Sequence, residues 1–284
     1  MDRPLKETVY TPDSELVSFG RLLRSMGADL LASRELAWRL FVRNISAQYR
    51  QSMLGYAWAF VPPVFTSLIW IFLNSQRVFS IGETGMPYVV FVITGTVLWQ
   101  TFVDALNSPL QMVSESRSML TKINFPREAL ILAGIGLVLF NFVIRATLLA
   151  AVMWWYGVPL QTGVLLAPVG VLALIGLGTM IGVLLTPLGM LYQDVGRGLT
   201  FATQAWFFLT PVIYPVPRAS FAGALIELNP VTPLLVSTRD WLITGQATLL
   251  PGFLWVSVVA LALLFAGWVL YRIAMPHLIS RMSA

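Results

Sequence analysis

The sequence predicts an all-α integral membrane protein with six transmembrane helices, and three observations predict it. Charged residues make up only 11% of the chain and hydrophobic ones 57%, with a mean hydropathy of +0.77, whereas a soluble domain carries about 25% charged residues. The apolar residues lie in long runs free of Asp, Glu, Lys and Arg: 26 residues over 51–76, 20 over 84–103, 16 over 129–144, 48 over 146–193, 20 over 198–217 and 31 over 241–271. The basic residues gather on alternate connections, the pattern of cytoplasmic loops.

Roughly 20 residues of helix, at about 1.5 Å each, cross a hydrocarbon core about 30 Å thick. The run over 146–193 is too long for one crossing and breaks at Tyr156-Gly157-Val158-Pro159. Six spans follow, near residues 57–75, 87–105, 129–154, 163–189, 199–215 and 252–271. They divide the chain into a cytoplasmic N-terminal segment (1–56), a six-helix transmembrane domain (57–275) and a short cytoplasmic tail (276–284). Fourteen of the 18 Lys and Arg fall on the side holding both termini and three on the other, while Arg145 interrupts span three. Both termini are expected in the cytoplasm, and the first fifty residues, lacking an apolar h-region, are not expected to form a signal peptide. The same positive-inside bias accounts for the pI near 9.8 without nucleic-acid binding.

Ahead of span one, Thr11-Pro12-Asp13-Ser14-Glu15 has the composition of a helix start, with an N-cap Thr, Pro at the first position and acids in the first turn. Leu16, Phe19, Leu23, Met26 and Leu30 then recur at spacings of three and four. This amphipathic helix suits either the membrane interface or a protein surface. Arg34 to Arg50 mixes Leu36, Leu40, Phe41 and Ile45 with arginines and leads into span one. The connection between spans two and three, Ser114 to Arg127, predicts two helical turns with Met119, Leu120 and Ile123 exposed, the composition of a docking segment. Between spans five and six, the prolines Pro211, Pro215, Pro217, Pro230, Pro233 and Pro251 break an apolar stretch. Two short re-entrant or interfacial helices, near 219–228 and 232–244, fit that pattern on the outer side.

Several chemistries are excluded. There is no Cys, and neither Lys6 nor Lys122 lies in a P-loop, so the chain has no Walker ATP site of its own. A lone His277, isolated Asp104 and Asp194, and the lack of G-x-S-x-G argue against an intramembrane enzyme and against a metal centre. No catalytic residue is assigned.

The phrases Gln48-Tyr49-Arg50-Gln51-Ser52-Met53-Leu54-Gly55-Tyr56-Ala57-Trp58-Ala59-Phe60, Leu120-Thr121-Lys122-Ile123-Asn124-Phe125-Pro126-Arg127, Tyr192-Gln193-Asp194-Val195, Thr210-Pro211-Val212-Ile213-Tyr214-Pro215 and Leu228-Asn229-Pro230 stand in this order, within a resemblance that covers roughly residues 15 to 275. Together with six spans, they resemble the permease subunit of ATP-binding-cassette polysaccharide exporters of the O-antigen, capsule or teichoic-acid type. The resemblance implies a homodimer working with two copies of a separate ATPase, which holds the ATP and Mg, and a lipid-linked polysaccharide moved across the bacterial plasma membrane. It implies that Glu115, Arg117, Met119, Leu120, Lys122 and Phe125 belong to a coupling helix seated on the ATPase, and that the amphipathic helix lies at the membrane interface. Pro211, Tyr214 and Pro215 would belong to an outer gate. Where such permeases commonly carry Arg before the Asp-Val pair, this chain has Gln193. A permease for drugs or lipids is the alternative within the same superfamily.

Trp58, Phe65 and Phe72 follow one another at intervals of seven, close to one helical face of span one. Sugars offer apolar C–H faces to aromatic rings, so these three, with Gln204, Trp206 and Phe207 of span five, are the candidates for a glycan channel; plain packing or an interfacial Trp58 is the other reading. Arg145 is expected toward the outer leaflet, about 24 Å along its helix, where it can snorkel. Asn141 shares its face, and Asp104, taken to sit at the inner end of span two, is expected too far away to pair with it. Gly178 and Gly182 form a G-x-x-x-G seam, either within the subunit or between two.

Overall fold

The computed structural model describes residues 19–50, 52–78, 82, 84–123, 125–159, 161–216 and 221–282, and the regular structure among these is all helical. In chain order the helices are α1 (Phe19–Arg50), α2 (Val61–Ser75), α3 (Tyr88–Glu115), α4 (Arg117–Leu120), α5 (Glu128–Trp155), α6 (Ala167–Leu191), α7 (Asp194–Leu209), α8 (Phe221–Leu228), α9 (Val231–Ile243) and α10 (Leu250–Met282). Two 3₁₀ turns, Gly55–Ala59 and Thr162–Leu166, lead into α2 and α6.

Four helical stretches are long and apolar enough to cross a membrane: Tyr88–Glu115, Glu128–Trp155, Thr162–Leu191 and Leu250–Ile279. They stand at predicted spans two, three, four and six. The helices at spans one and five, α2 and α7, have 15 and 16 residues, or roughly 22–24 Å at 1.5 Å per residue. Two short helices, α8 and α9, occupy the stretches predicted between spans five and six.

Two helices run on past the predicted span ends. α3 runs ten residues past 105, through Asp104, to Glu115. α10 likewise continues through Pro276 to Met282. The break at Tyr156–Pro159 is real: α5 ends at Trp155, and the Gly157 and Val158 amides bond back to the Trp154 and Met153 carbonyls, a Schellman reversal sealed by apolar packing of Val158 near Met153.

α3 is the post around which the other helices stand. Of its apolar window 78% is buried, against 17% for that of α10, and α2, α5, α6, α7 and α9 all pack on it. Leu98, Phe102 and Leu106 on α3 meet Leu174 and Leu177 on α6 and Leu234 and Leu235 on α9 in the largest core cluster. The Gly178–Gly182 seam lies within the subunit. A Cβ at Gly178 would come 2.7 Å from the Phe102 carbonyl oxygen, and one at Gly182 would run into the Leu106 carbonyl oxygen and Pro109. These two glycines let the backbones of α3 and α6 touch, where dispersion replaces the hydrophobic drive that lipid does not supply.

α1 joins the two predicted N-terminal stretches into one helix; the Thr11–Glu15 helix start and Leu16 lie outside the described residues. Its Met26, Ser33, Ala37 and Leu40 are buried, a stripe at spacings of three, four and seven, and α5 is its principal neighbour. Arg272 on α10 bridges Asp29 on α1, at 2.6 Å, and Glu128 on α5, at 3.2 Å. One guanidinium thereby ties the N-terminal helix to the membrane bundle. Leu31, Trp38 and Val42, on another face of α1, stay exposed.

Replacing Gly182 by Ala will destabilise the detergent-solubilised protein by about 1–3 kcal/mol, the usual penalty of overpacking. Gly176→Ala, on the same helix with nothing within 4 Å of its added Cβ, will leave thermal stability unchanged or slightly raised. Equal melting of the two variants would remove the seam from this account.

Candidate functional site

One face of α3 carries Gln100, Asp104, Asn107, Gln111 and Ser114. Steps of three and four place them in a column about 21 Å long. In hydrocarbon such a column would be left unsolvated; here it lines a cavity of about 1030 Å³ bounded by α1, the 3₁₀ turn before α2, α3, α5 and the α6–α7 junction. Asn44, Gln48, Asn141 and Gln193 face the same space, with Trp58 at its wall. The column is partly self-satisfied, since the Gln100 amide donates to Asp104 at 2.9 Å and that of Gln111 to Glu115 at 2.8 Å.

Arg145 lies at this cavity. Its Nη1 is 2.6 Å from Asp104 Oδ2, and its Nε donates to the Ala59 carbonyl at 3.2 Å. The expectation that Asp104 is out of reach is therefore overturned. With α3 extended to Glu115, Asp104 sits near mid-helix, opposite the half of the antiparallel α5 that carries Arg145. Both side chains are shielded, at 20% and 5% exposure, and each gives the other its counter-charge. The pair joins three elements: α3, α5 and the turn that delivers α2.

The six expected channel residues separate into two groups. Trp58, Phe65 and Phe72 are all exposed, as are Leu68 and Ile69 beside them. Trp58 does not share a helix with the other two. It belongs to the 3₁₀ turn, because Pro62 and Pro63 suit only the first turn of a helix and α2 begins at Val61. The opposite face of α2 holds Ser67, whose hydroxyl meets that of Thr96 on α3 at 3.0 Å. On α7, Gln204 is exposed, but Trp206 and Phe207 turn toward α3. Trp206 meets Phe102 edge-on at 5.4 Å and Phe207 meets Trp99 at 5.9 Å. Phe208, which the sequence did not single out, is exposed and meets Trp70 of α2.

The expected outer-gate residues sit in a braced turn. α7 ends at Leu209, and Pro211 cannot continue it. The carbonyls of this segment accept hydrogen bonds one by one: Phe208 from the Tyr214 hydroxyl at 2.7 Å, Leu209 from the Asn229 amide at 3.2 Å, Ile213 from the Tyr88 hydroxyl at 3.1 Å. Arg239 on α9 donates to those of Pro211 and Val212 at 3.1 and 2.7 Å, with its guanidinium 3.9 Å from the Phe91 ring centre. Asn229 also accepts from the Trp206 indole at 2.9 Å. Arg239 and Asn229 are structural anchors of this turn that sequence analysis does not single out. An arginine and an aspartate side by side within a 13-residue helix were the available clue.

The coupling candidates also divide. α4 is a single turn, shorter than the two turns expected. Leu120 is buried and Met119 and Phe125 pack against the same inner cluster, so the expected exposure of Leu120 does not hold; Pro126 starts α5 close behind and folds the segment onto the bundle. Ile123 and Lys122 are exposed, while Glu115 and Arg117 edge the cavity.

A helical bundle with membrane-length spans, a polar cavity between them and interlocked charges at its wall is the architecture of a membrane transport protein. The chain belongs to the ABC-2 type transporter family, whose model matches residues 35–243. It is similar to the O-antigen export system permease protein RfbA of Myxococcus xanthus, 28% identical over 212 residues, covering 74% of this chain and 80% of that one. A protein of the same description from Klebsiella pneumoniae is 24% identical, covering 72% and 78%.

Removing one member of the Asp104–Arg145 pair leaves a buried charge unpaired. Arg145→Leu or Asp104→Leu will each lower stability by about 3–5 kcal/mol, and the double variant by much less than their sum. Thermal denaturation of the four purified proteins reads the coupling, and additive losses would show the two side chains to be independent.

Proposed function

We propose that this chain is the transmembrane permease subunit of an ATP-driven exporter that moves a lipid-linked, O-antigen-like polysaccharide across the bacterial inner membrane. The observation that carries this reading is the likeness, over nearly three quarters of the chain, to relatives described as O-antigen export permeases. In this reading two copies of the chain assemble with two copies of an ATPase, and ATP and Mg reside on that partner. Both termini face the cytoplasm, in keeping with the distribution of Lys and Arg. The chain crosses six times, with α2 and α7 as short crossings that thin the bilayer locally and with α8 and α9 re-entrant from the outer side. The exposed Leu31, Trp38 and Val42 of α1 suit burial in the headgroup region.

The exposed rings Phe65 and Phe72 make α2 the wall of the glycan path, with Trp58 at its entry and Gln204 across from it on α7. Trp206 and Phe207 stiffen that wall from behind. Lys122, Ile123 and Glu115 form the contact with the ATPase, while Met119, Leu120 and Phe125 fix α4 to the bundle so that a push on the loop reaches α3 and α5. The braced turn holding Pro211, Tyr214 and Pro215 acts as the outer gate.

The assignment is tested by capturing the tagged chain from detergent-solubilised native membranes. A stoichiometric ATP-binding subunit is expected, and a chain that always purifies alone would remove the energy source the reading requires. Lys122→Glu with Ile123→Asp will reduce that co-purification at unchanged permease yield, whereas Leu120→Asp will lower the yield itself. Phe65→Ala with Phe72→Ala will reduce surface glycan at constant expression; unaltered export would return both rings to lipid contact.

A further inference from the structure

Much of α5 is uncovered, with only 33% of its apolar window buried. Along part of it α1 and α5 enclose an open groove of about 980 Å³. Leu31, Trp38 and Phe41 of α1 and Leu139, Phe140 and Val143 of α5 make its walls apolar and aromatic. Gly136 lets the two helices close beneath it, since a Cβ there would stand 3.1 Å from the Phe41 ring. The rings brace one another, Trp38 and Phe41 at 5.3 Å and Phe41 and Phe140 at 6.2 Å. From Leu132 to Val143 the groove follows α5 for about 16 Å, close to the depth of one leaflet of a ~30 Å hydrocarbon core.

One cation interrupts this face. Arg34 stands three residues after Leu31, four before Trp38 and seven before Phe41, so it shares their side of the helix. It is exposed, and no carboxylate among the described residues pairs with it. Glu35, the other titratable group of the lining, is held by Arg39 at 2.6 Å, and Asp29 is held by Arg272 at 2.6 Å. The Asp29 contact also fixes the level, because Arg272 joins it to Glu128, the first residue of α5. Arg34 lies five residues further along α1, about 7 Å in from that charged end. A guanidinium there borders hydrocarbon and calls for a counter-charge. The described α1 carries six arginines against Asp29 and Glu35, so the ligand that complements the groove is an anion with apolar tails.

We propose that this groove holds an anionic phospholipid of the bilayer, with its phosphate on Arg34 and an acyl chain laid along Trp38, Phe41 and Phe140. The planar guanidinium fork matches two phosphate oxygens at once, and the open side of the groove faces the tails of the same leaflet. The inference needs only the membrane setting; neither the cargo nor the ATPase enters it. A lipid in this place touches α1 and α5 together, and so adds a second fastening of the N-terminal helix to the one made by Arg272.

Native mass spectrometry of the purified full chain, titrated with dioleoyl phosphatidylglycerol or dioleoyl phosphatidylcholine, tests the site. Phosphatidylglycerol is expected to bind more tightly by about fivefold or more, the scale of one arginine beside an anionic surface. Arg34→Gln will remove that preference. Arg24→Gln, an equal loss of charge at an exposed position of α1 outside the groove, will keep it. Ala32→Trp, which fills the groove from an exposed position on its wall, will weaken the binding of both lipids. Equal binding of the two lipids, a preference that survives Arg34→Gln, a preference lost equally in Arg24→Gln, or full binding in Ala32→Trp would each overturn the proposal. A polyprenyl phosphate that binds more tightly than phosphatidylglycerol would overturn it too, by giving the groove to a carrier lipid. So would dissociation of a second copy by Ala32→Trp with phosphatidylglycerol still bound, by giving the face to protein. Failure of the unaltered chain to capture an ATPase would instead sink the export reading and leave this site standing.

Discussion

Arg145 and Asp104 face each other at 2.6 Å among helices that otherwise carry almost no charge, and much of the molecule is arranged so that they can. A single arginine in a bilayer costs roughly 2.5–3.5 kcal/mol on insertion scales, which a partner on a neighbouring helix offsets only if the two helices keep a fixed register. The Gly178–Gly182 seam sets α6 against α3, and α5 lies on another side of α3 with α1 across it. Within that frame the guanidinium reaches both the carboxylate and the Ala59 carbonyl. The ion pair is thus less a source of stability than a register mark: shift α5 by one turn and three elements lose their common anchor.

The same accounting of polar groups explains the other end of the bundle. A helix that stops inside a membrane protein leaves carbonyls that water cannot reach. After α7 stops at Leu209, side chains from α3, α7–α8, the α8–α9 turn and α9 itself meet them. Arg239 serves two carbonyls at once and covers the Phe91 ring, which no neutral side chain of that length could do. The turn is consequently coupled to α3, the helix that also holds Asp104 and the polar column. Any motion of this turn that changes the Arg239 contacts must also be felt on α3.

How far the sequence discloses this depends on whether a feature is local or paired. The helices at Glu128–Trp155 and Thr162–Leu191 and the break between them follow from uncharged length and a Gly-x-Pro interruption, which are local. The close approach at Gly178 and Gly182 is also local, because absence of a Cβ is visible in one dimension. The Asp104–Arg145 pair is not local, because a charge at the end of an apolar run does not show whether something inside the bundle receives it. Near Asp104, Gln100, Asn107 and Gln111 at helical spacing were the available sign that α3 continues along a polar lining. The expected exposure of Leu120 failed for a related reason. An apolar residue in a short loop or a lipid-length helix has two apolar destinations, lipid or partner on one side and the core on the other, and hydropathy does not distinguish them.

The exposed rings of α2 and the carboxamide column of α3 are different surfaces on neighbouring helices. A ring has no donor to realign, so contacts to it tolerate sliding, whereas carboxamides offer directional donors and acceptors. The two helices are joined through Ser67–Thr96, and the turn before α2 is held to α5 by the Arg145 bond to Ala59. The place where α2 hangs on the bundle is thus tied to the same guanidinium that pairs Asp104, so the register of α3 and α5 also sets where the aromatic face stands.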